Sequence, residues 1–271
     1  MRLPLGFVVA FLAAASQAHS AESWRKKLTP ENPGPFPLVR PFEGEFRFGW
    51  SDIEAARARA KFTDAGDEVQ MQVEGGTSGF VRSLWKIDAT HHAVIRKVGL
   101  QSVAFNQVEK YAGKTVRTEA VFKPDGLWRL RDVTPDPKGP AKWKRIKVEP
   151  IRDIVAAMFF IRSQPLADKD KVGVIAFPGD APYLVEVTVV GRETIKAAGK
   201  SWPAIKIDFE ILKVVKLTKT ENKLEPHKKF RHGTVWLSDD ENRIPLRAEV
   251  DIFIGYVFGE LVSVTFKGDK P

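Results

Sequence analysis

Three consecutive acidic side chains, Asp239, Asp240 and Glu241, come closest in this chain to a reactive arrangement. Neighbouring carboxylates can act as a general acid and base, or can bind a hard cation such as Ca²⁺. The run lies in SDDENR, between two alternating apolar patterns, where Asp and Asn commonly stabilise turns through their own backbone. Its spacing matches no calcium-binding loop. We therefore predict a structural turn, and a hydrolase that uses Asp239 or Asp240 is the weakest functional hypothesis.

Two other groups of residues could carry chemistry. Residues 75–79, GGTSG, resemble the setting of a phosphate loop or a nucleophile elbow, but no Ser occupies the centre of G-x-S-x-G. His91 and His92 should face opposite sides of a strand, and His227 and His232 lie in or beside a loop, so the sequence offers no recognisable metal site. We predict that the protein has no metal or cofactor and is not an enzyme.

A basic segment around Trp143 could contact an anionic surface, because each basic side chain near such a membrane contributes about 1 kcal/mol. The alternative, which the sequence favours, is an ordinary solvated loop. The candidate contact residues are Lys142, Trp143, Lys144, Arg145 and Lys147.

Composition limits the classes of protein further. The 271 residues include no cysteine, which excludes disulfides, thiolate nucleophiles and lipid-modified cysteine. The formal net charge is +9. Outside the cytoplasm, the anionic partners within reach are lipid headgroups and lipopolysaccharide, whereas nucleic acid is not expected. A modest basic excess also serves simply to keep a protein soluble.

The first twenty residues predict a secretory signal peptide, with a positive charge, an apolar run at residues 3–15, and small residues that allow cleavage after Ala18 or Ser20. We expect a protein that is exported to the periplasm or outside the cell and is soluble after cleavage. Residues 21–41 are rich in proline and predict an extended tether. One β-rich domain should follow over residues 42–268.

Alternation of apolar and polar residues predicts strands along most of that domain. Residues 53–62 have high helix propensity, yet their alanines alternate with basic side chains, so we predict a strand there. The period changes at residues 150–162, where an apolar stripe predicts a single helix from Pro150 to Arg162 that packs against the sheet. Further strands are predicted at about 90–97, 100–109, 114–123, 126–133, 171–177, 182–191 and 203–217.

The closing segment has the longest alternation. Apolar residues occupy every second position from Ile244 to Ile254, which predicts one strand of about 36 Å in a large curved sheet. We therefore predict an all-β fold with one central helix, in which a curved antiparallel sheet or incomplete barrel wraps that helix. The predicted lining of the concave face comprises Ile244, Leu246, Val250, Ile252, Ile254, Met158 and Phe159.

The same segment contains a marker turn, defined by Trp236, Asp239, Asp240, Arg243 and Pro245, which is followed by Gly255 and Leu261. With these residues the segment resembles the bacterial family known as domain of unknown function 3108. The resemblance covers about residues 42–266, with a departure at Glu149-Pro150, where an Asp-Pro is expected. It implies an exported, mostly antiparallel sheet protein with no established activity, and an architecture similar to the incomplete barrels of periplasmic lipoprotein carriers. Upstream support comes from Ile161-Arg162, Pro165-Leu166, residues 189–193 and Gly199.

Two functional hypotheses follow. In the first, the concave face binds a lipid or another apolar ligand. In the alternative, the protein is a structural or assembly module that binds another envelope protein through an exposed sheet edge. The helix discriminates between them, because a helix that fills the concavity completely leaves no volume for a ligand.

Overall fold

The computed structural model describes residues 24–37, 40–51, 53–135, 139–216, 221–227, 232–252 and 255–268. The predicted signal peptide with its two cleavage sites lies outside the described residues, and so does Ile254. In the part of the chain that is described, neither α-helix has the length and apolar character needed to cross a bilayer.

Within these ranges the chain forms sixteen strands and two α-helices. The helices are α1 (Gly79–Leu84) and α2 (Ile154–Ser163). The strands are β1 (Phe42–Trp50), β2 (Ile53–Ala65), β3 (Glu68–Thr77), β4 (Ile87–Arg96), β5 (Gln101–Tyr111), β6 (Lys114–Lys123), β7 (Gly126–Thr134), β8 (Lys144–Ile146), β9 (Arg152–Asp153), β10 (Lys171–Phe177), β11 (Tyr183–Ala197), β12 (Lys200–Lys216), β13 (Asn222–Pro226), β14 (Gly233–Ser238), β15 (Pro245–Asp251) and β16 (Tyr256–Phe266).

All sixteen strands belong to one sheet in the order β8-β7-β6-β5-β4-β3-β2-β1-β16-β15-β14-β12-β11-β10-β9, with β13 paired to β12. The pairings are antiparallel except that of β9 with β10, which is parallel. Strands make up 63% of the chain, and the sheet does not close into a barrel. The predicted β-rich fold with a large, incompletely closed sheet is therefore confirmed. The predicted strand in the alanine-rich segment is also confirmed, as part of β2.

Helix α2 lies against the sheet and separates two parts of the core. Val155, Ala156 and Phe159 pack with residues of β1–β4, β12 and β14–β16. Ala157 and Phe160 pack with residues of β10–β12 and β14. An apolar residue on nearly every side is the pattern of a helix that is buried all round. The sheet thus wraps α2 from both sides.

The helix begins four residues later than predicted. Arg152 and Asp153 pair with Ala176 and Phe177 as strand β9, so the chain is still extended two residues after Pro150. The side chain of Asp153 accepts hydrogen bonds from the amides of Val155 and Ala156 at 2.8 and 3.1 Å, which makes it the N-cap. The cap residue, rather than the proline, sets the start of the helix.

The predicted eleven-residue closing strand is wrong. Strand β15 has seven residues and ends at Asp251, which pairs with Tyr256 across a turn. The amide of Ile252 donates to the carbonyl of Gly255 at 3.2 Å, and Gly255 has a φ of 73° that suits a tight turn. The apolar alternation simply continues past the end of the strand. The longest strands are β11 and β12, with 15 and 17 residues.

The described part of the proline-rich segment, residues 24–37, packs on the domain instead of forming a free tether. Trp24 is buried in a cluster with Ile175 and Leu184. Further along, the amide of Gly34 donates to Ser163 Oγ at 3.1 Å, next to the end of α2. The prolines keep this segment extended, but its contacts hold it against the sheet and the helix.

Candidate functional site

The inner face of the sheet, defined here as the face that contacts α2, carries the candidate site. Directly paired residues on antiparallel strands share a face. One row of such pairs runs across β1–β5 and is buried throughout. Its β1–β4 part packs with α2, with the ring centroid of Phe62 5.0 Å from that of Phe159, and its β5 residue packs on Phe177 of β10. This row, named the filled end, comprises Phe42, Phe62, Met71, Ala93 and Phe105.

Further along the same strands the inner face becomes exposed. On β1, Phe42 is 4% exposed, whereas Phe48 and Trp50 on the same face are 40% and 44% exposed. On β2, the exposed fraction rises to 56% at Ile53. The inner face therefore extends past the helix as an apolar surface without a cover among the described residues. We name this part of β1–β4 the open end.

Small residues form a shallow trough between the two ends. Ala58 of β2 pairs with Gly75 of β3, which pairs with Ala89 of β4, and all three are half-buried. A Cβ atom at Gly75 would lie 2.7 Å from the Cβ of Ala58, so the strands approach closely at this point. Phe46 of β1 ends the row as its aromatic wall.

The inner face becomes polar towards β5 and β6. His91 packs its ring edge-on against Phe105, with centroids 4.5 Å apart, and its Nε2 atom is buried without a hydrogen-bond partner. Burial lowers the pKa of His91 to about 4, and the charge of His92 acts in the same direction. Gln107 and the buried Thr118 continue this row. A ligand in the trough would have apolar neighbours on one side and polar neighbours on the other.

The predicted concave lining is divided between these regions. Ile244, Leu246 and Phe159 are buried in the core of the filled end, and Met158 packs against that core. Ile244 and Leu246 border the space that α2 occupies, whereas Met158 and Phe159 belong to α2 itself. Val250 instead pairs with Val257, which pairs with Trp50, so Val250 belongs to a row of the open end. Ile252 follows β15 and is half-buried.

Sequence reasoning missed the trough and the open end. The alternating alanines of β2 were a signal, because Ala56, Ala58 and Ala60 share one face and leave space beside the phenylalanines of β1. A row of small residues next to a row of aromatic ones marks a depression in a sheet. The sequence alone could not show that α2 stops short of it.

Asp240 stabilises the marker turn, as its sequence predicts. Its Oδ1 atom accepts hydrogen bonds from Ser238 Oγ at 2.8 Å and from the amides of Asn242 and Arg243 at 2.9 Å each. This is an Asx-type turn. An oxygen that accepts three hydrogen bonds stabilises the turn and is poorly placed for proton transfer.

The guanidinium of Arg243 fixes the end of α2. It is buried and donates to the carbonyl of Arg162 at 2.9 Å, to that of Pro165 at 2.8 Å, and to that of Gln164. It also lies 3.7 Å from the ring centroid of Phe36, in the N-terminal segment. A cation at the C-terminus of a helix satisfies carbonyls that have no partner within the helix. The marker turn therefore positions the helix.

The other marker residues also make structural contacts. Asp239 pairs with Arg192 at 3.2 Å, and Arg192 donates to the carbonyl of Leu166 at 3.0 Å. Trp236 Nε1 donates to Glu193 at 2.5 Å, and this hydrogen bond holds the pKa of Glu193 below its usual value. Pro245 begins β15. None of these contacts joins two carboxylates in the way that acid and base catalysis requires.

The basic segment lies at the β8 edge of the sheet. Trp143 is exposed, as are Lys142, Lys144 and Lys147, and the exposed Arg145 pairs with Asp125 at 3.4 Å. Its contact with an anionic surface stays a prediction. Two open grooves on the described surface have volumes of about 910 and 610 Å³, and neither is lined by α2 or by the trough.

Comparison with known proteins places this chain in a family. A family model described as a protein of unknown function, DUF3108, matches residues 45–262, most of the chain. The chain belongs to the DUF3108 family. The resemblance that the marker turn indicated is therefore confirmed. No curated protein matches this DUF3108 protein with statistical significance.

Two solved structures illustrate its fold. A β-barrel-like protein of domain of unknown function DUF1849 from Brucella abortus is 11% identical, with 85% of this chain and 99% of that chain covered and a TM-score of 0.52. A DUF1089 family protein from Pseudomonas aeruginosa is 12% identical, with 73% of this chain and 90% of that chain covered and a TM-score of 0.37. The first likeness shows the fold of the DUF3108 chain alone, and the second is too distant to support an argument.

Proposed function

We propose that this DUF3108 protein is an exported, non-enzymatic envelope protein that binds a lipid, or the acyl part of lipopolysaccharide, at the open end of its inner face. A single observation supports this most strongly. One continuous apolar face is covered by α2 at the filled end and is uncovered at the open end, where Phe48, Trp50 and Ile53 remain exposed.

The energetic reason is the burial of apolar surface. Each methylene group that moves from water into an apolar site contributes roughly 0.8 kcal/mol before the costs of binding. An acyl chain that lies in the trough of Ala58, Gly75 and Ala89 buries its own surface and also that of Phe48. At the filled end Phe159 already makes the equivalent contact, so the helix and the ligand occupy neighbouring positions on one surface.

The alternative function, binding another envelope protein through a sheet edge, has less support. The first and last strands of the sheet order, β8 and β9, have only three and two residues. Lys144 and Arg145 are exposed on β8. Short edge strands with charged side chains discourage the addition of another strand.

The experiment compares two variants that add the same bulk to opposite faces of β4. Ala89→Phe fills the trough, whereas Thr90→Phe places its ring on the outer face, where Thr90 is exposed. We expect the delipidated mature protein to bind a fluorescent fatty acid, and Ala89→Phe to weaken that binding at least about tenfold. Thr90→Phe should bind as the unchanged protein does.

Thermal unfolding provides the control for folding of both variants. If the unchanged protein binds no fatty acid, or if both variants bind it equally well, the proposed function is contradicted. Native mass spectrometry of the mature protein purified from its host envelope would identify the ligand, and a protein partner without lipid would favour the alternative function.

A further inference from the structure

Helix α1 exposes an unusual amount of apolar surface for its length. Phe80 and Leu84 are 77% and 72% exposed, and Trp85, which follows the helix, is 59% exposed. Three large apolar side chains within six consecutive residues form a patch, whereas a single exposed one needs no explanation. This patch is therefore a candidate interaction surface.

The patch adjoins the open end. Helix α1 connects β3 to β4, and the amide of Ser78, just before it, donates to the carbonyl of Ala55 in β2 at 2.9 Å. Of the ten large apolar side chains that are exposed in the described ranges, six lie at this end of β1–β4. We name these six the rim patch: Phe48, Trp50, Ile53, Phe80, Leu84 and Trp85.

The charges around α1 are suited to an anionic surface. From Phe80 to Lys86 the charged side chains are Arg82 and Lys86, both cationic. Arg82 is paired with the nearby carboxylate of Asp88 at 2.7 Å, so Lys86 supplies the net positive charge of this segment. Indole rings together with basic side chains are typical of proteins that lie in the interface of a membrane. The formal net charge of +9 also attracts the protein to an anionic surface at longer range.

We propose that the rim patch docks on a lipid bilayer that contains anionic lipids, with Phe80, Leu84 and Trp85 inserted at the level of the headgroups. This inference rests on the proposed function, because it identifies the partner that delivers or receives the ligand. The continuity between the rim patch and the trough supports the choice of a membrane. An acyl chain can then move between the bilayer and the trough along a continuous apolar surface.

The test is co-sedimentation of the mature protein with lipid vesicles. One set consists of phosphatidylcholine, and in the other about a third of the lipid is phosphatidylglycerol. We expect stronger binding to the anionic vesicles, and a loss of at least about tenfold in the double variant Phe80→Ser, Leu84→Ser. Val98→Ser is the matched control, because Val98 is equally exposed but lies in the β4–β5 connection at the opposite end of these strands.

The outcomes separate this inference from the proposed function. Loss of vesicle binding with intact binding of a soluble fluorescent fatty acid supports the rim patch as a membrane contact. Equal vesicle binding by the double variant and the unchanged protein overturns it, and so does loss of binding in Trp143→Ser alone. Dimers of the unchanged protein that become monomers in the double variant also overturn it, because the patch is then an interface between copies. If vesicles bind through the patch but no fatty acid binds, the proposed function fails while this inference stands.

Discussion

At the filled end, α2 covers Phe42 and Phe62, whereas at the open end the same two strands leave Phe48 and Ile53 exposed to solvent. The two strands stay paired from one end to the other, with one register shift between Phe48 and Gly49, and their inner face is apolar at both ends. The difference comes from the reach of one helix. If α2 covered the whole inner face, the core would be closed. Because α2 covers only part of it, the remaining apolar surface can contact a ligand in the way that the filled end contacts the helix.

Contacts at both termini of α2 determine how far the helix reaches. At its start, Ser102 of β5 donates to the carboxylate of Asp153 at 2.5 Å, and at its end Arg243 donates to carbonyl groups beyond the last turn. Both contacts join residues that are far apart in the sequence. They hold the helix at the filled end, away from the trough.

The largest effect is expected from removing the main contact of the filled end. Phe159→Ala deletes a buried ring that packs on Phe62, so the free energy of unfolding should fall by about 4 kcal/mol. Ile53→Ala at the open end should change it by about 0.5 kcal/mol or less, because its side chain is largely exposed. Urea denaturation measures both values, and similar losses in the two variants would remove the distinction between the ends.

A somewhat smaller effect is expected at the marker turn. Arg243→Ala leaves the carbonyls of Arg162 and Pro165 without their buried donor and should lower the free energy of unfolding by about 3 kcal/mol. Arg247→Ala is the matched control, since its ion pairs with Glu249 and Glu260 lie nearer the surface. The control should lose about 1 kcal/mol or less. A larger loss in Arg247→Ala than in Arg243→Ala would contradict the role of the turn in positioning α2.

The third effect depends on pH and lies at the boundary between the two ends. Because the folded pKa of His91 is about 4, below the ordinary value of 6.5, the unfolded state binds a proton first as the pH falls. Stability is therefore complete above about pH 6.5 and decreases towards pH 4, by about 2 kcal/mol at pH 5. His91→Gln should remove this part of the pH dependence, whereas His92→Gln should retain it.

Urea denaturation at pH 8 and pH 5 measures the difference between the two histidine variants. If His91→Gln and the unchanged protein lose the same stability between these pH values, His91 is not buried as a neutral side chain at the inner face.

The sequence was a good guide to local structure. Period-two alternation identified β2 although residues 53–62 favour a helix, because alternation reports which face is buried, and the buried face decides the structure. The same signal failed at Asp251, where apolar alternation continues through the turn before β16. Periodicity shows which side chains share a face of the strand. It does not show where the strand ends unless a clear turn residue follows.

The site was harder to predict because it depends on distant contacts. The phenylalanines of β1 show the same spacing at the filled end and at the open end. Only the position of α2 distinguishes Phe42 from Phe48. That position is fixed by Ser102, which lies 51 residues from its partner Asp153, and by Arg243, which lies 81 residues from its partner Arg162. No local pattern contains this information.

Photo-crosslinking tests the central claim most directly. A fatty acid with a diazirine on its acyl chain would be bound to the mature protein, activated by light, and the modified residues identified by mass spectrometry of peptides. We expect adducts on the open end, at Phe46, Phe48, Trp50 and Ile53 and around Gly75 and Ala89, and no adducts on α2. Adducts confined to α2 or to the groove of about 910 Å³ that Glu186 and Asp208 line, or no adducts at all, would contradict the account.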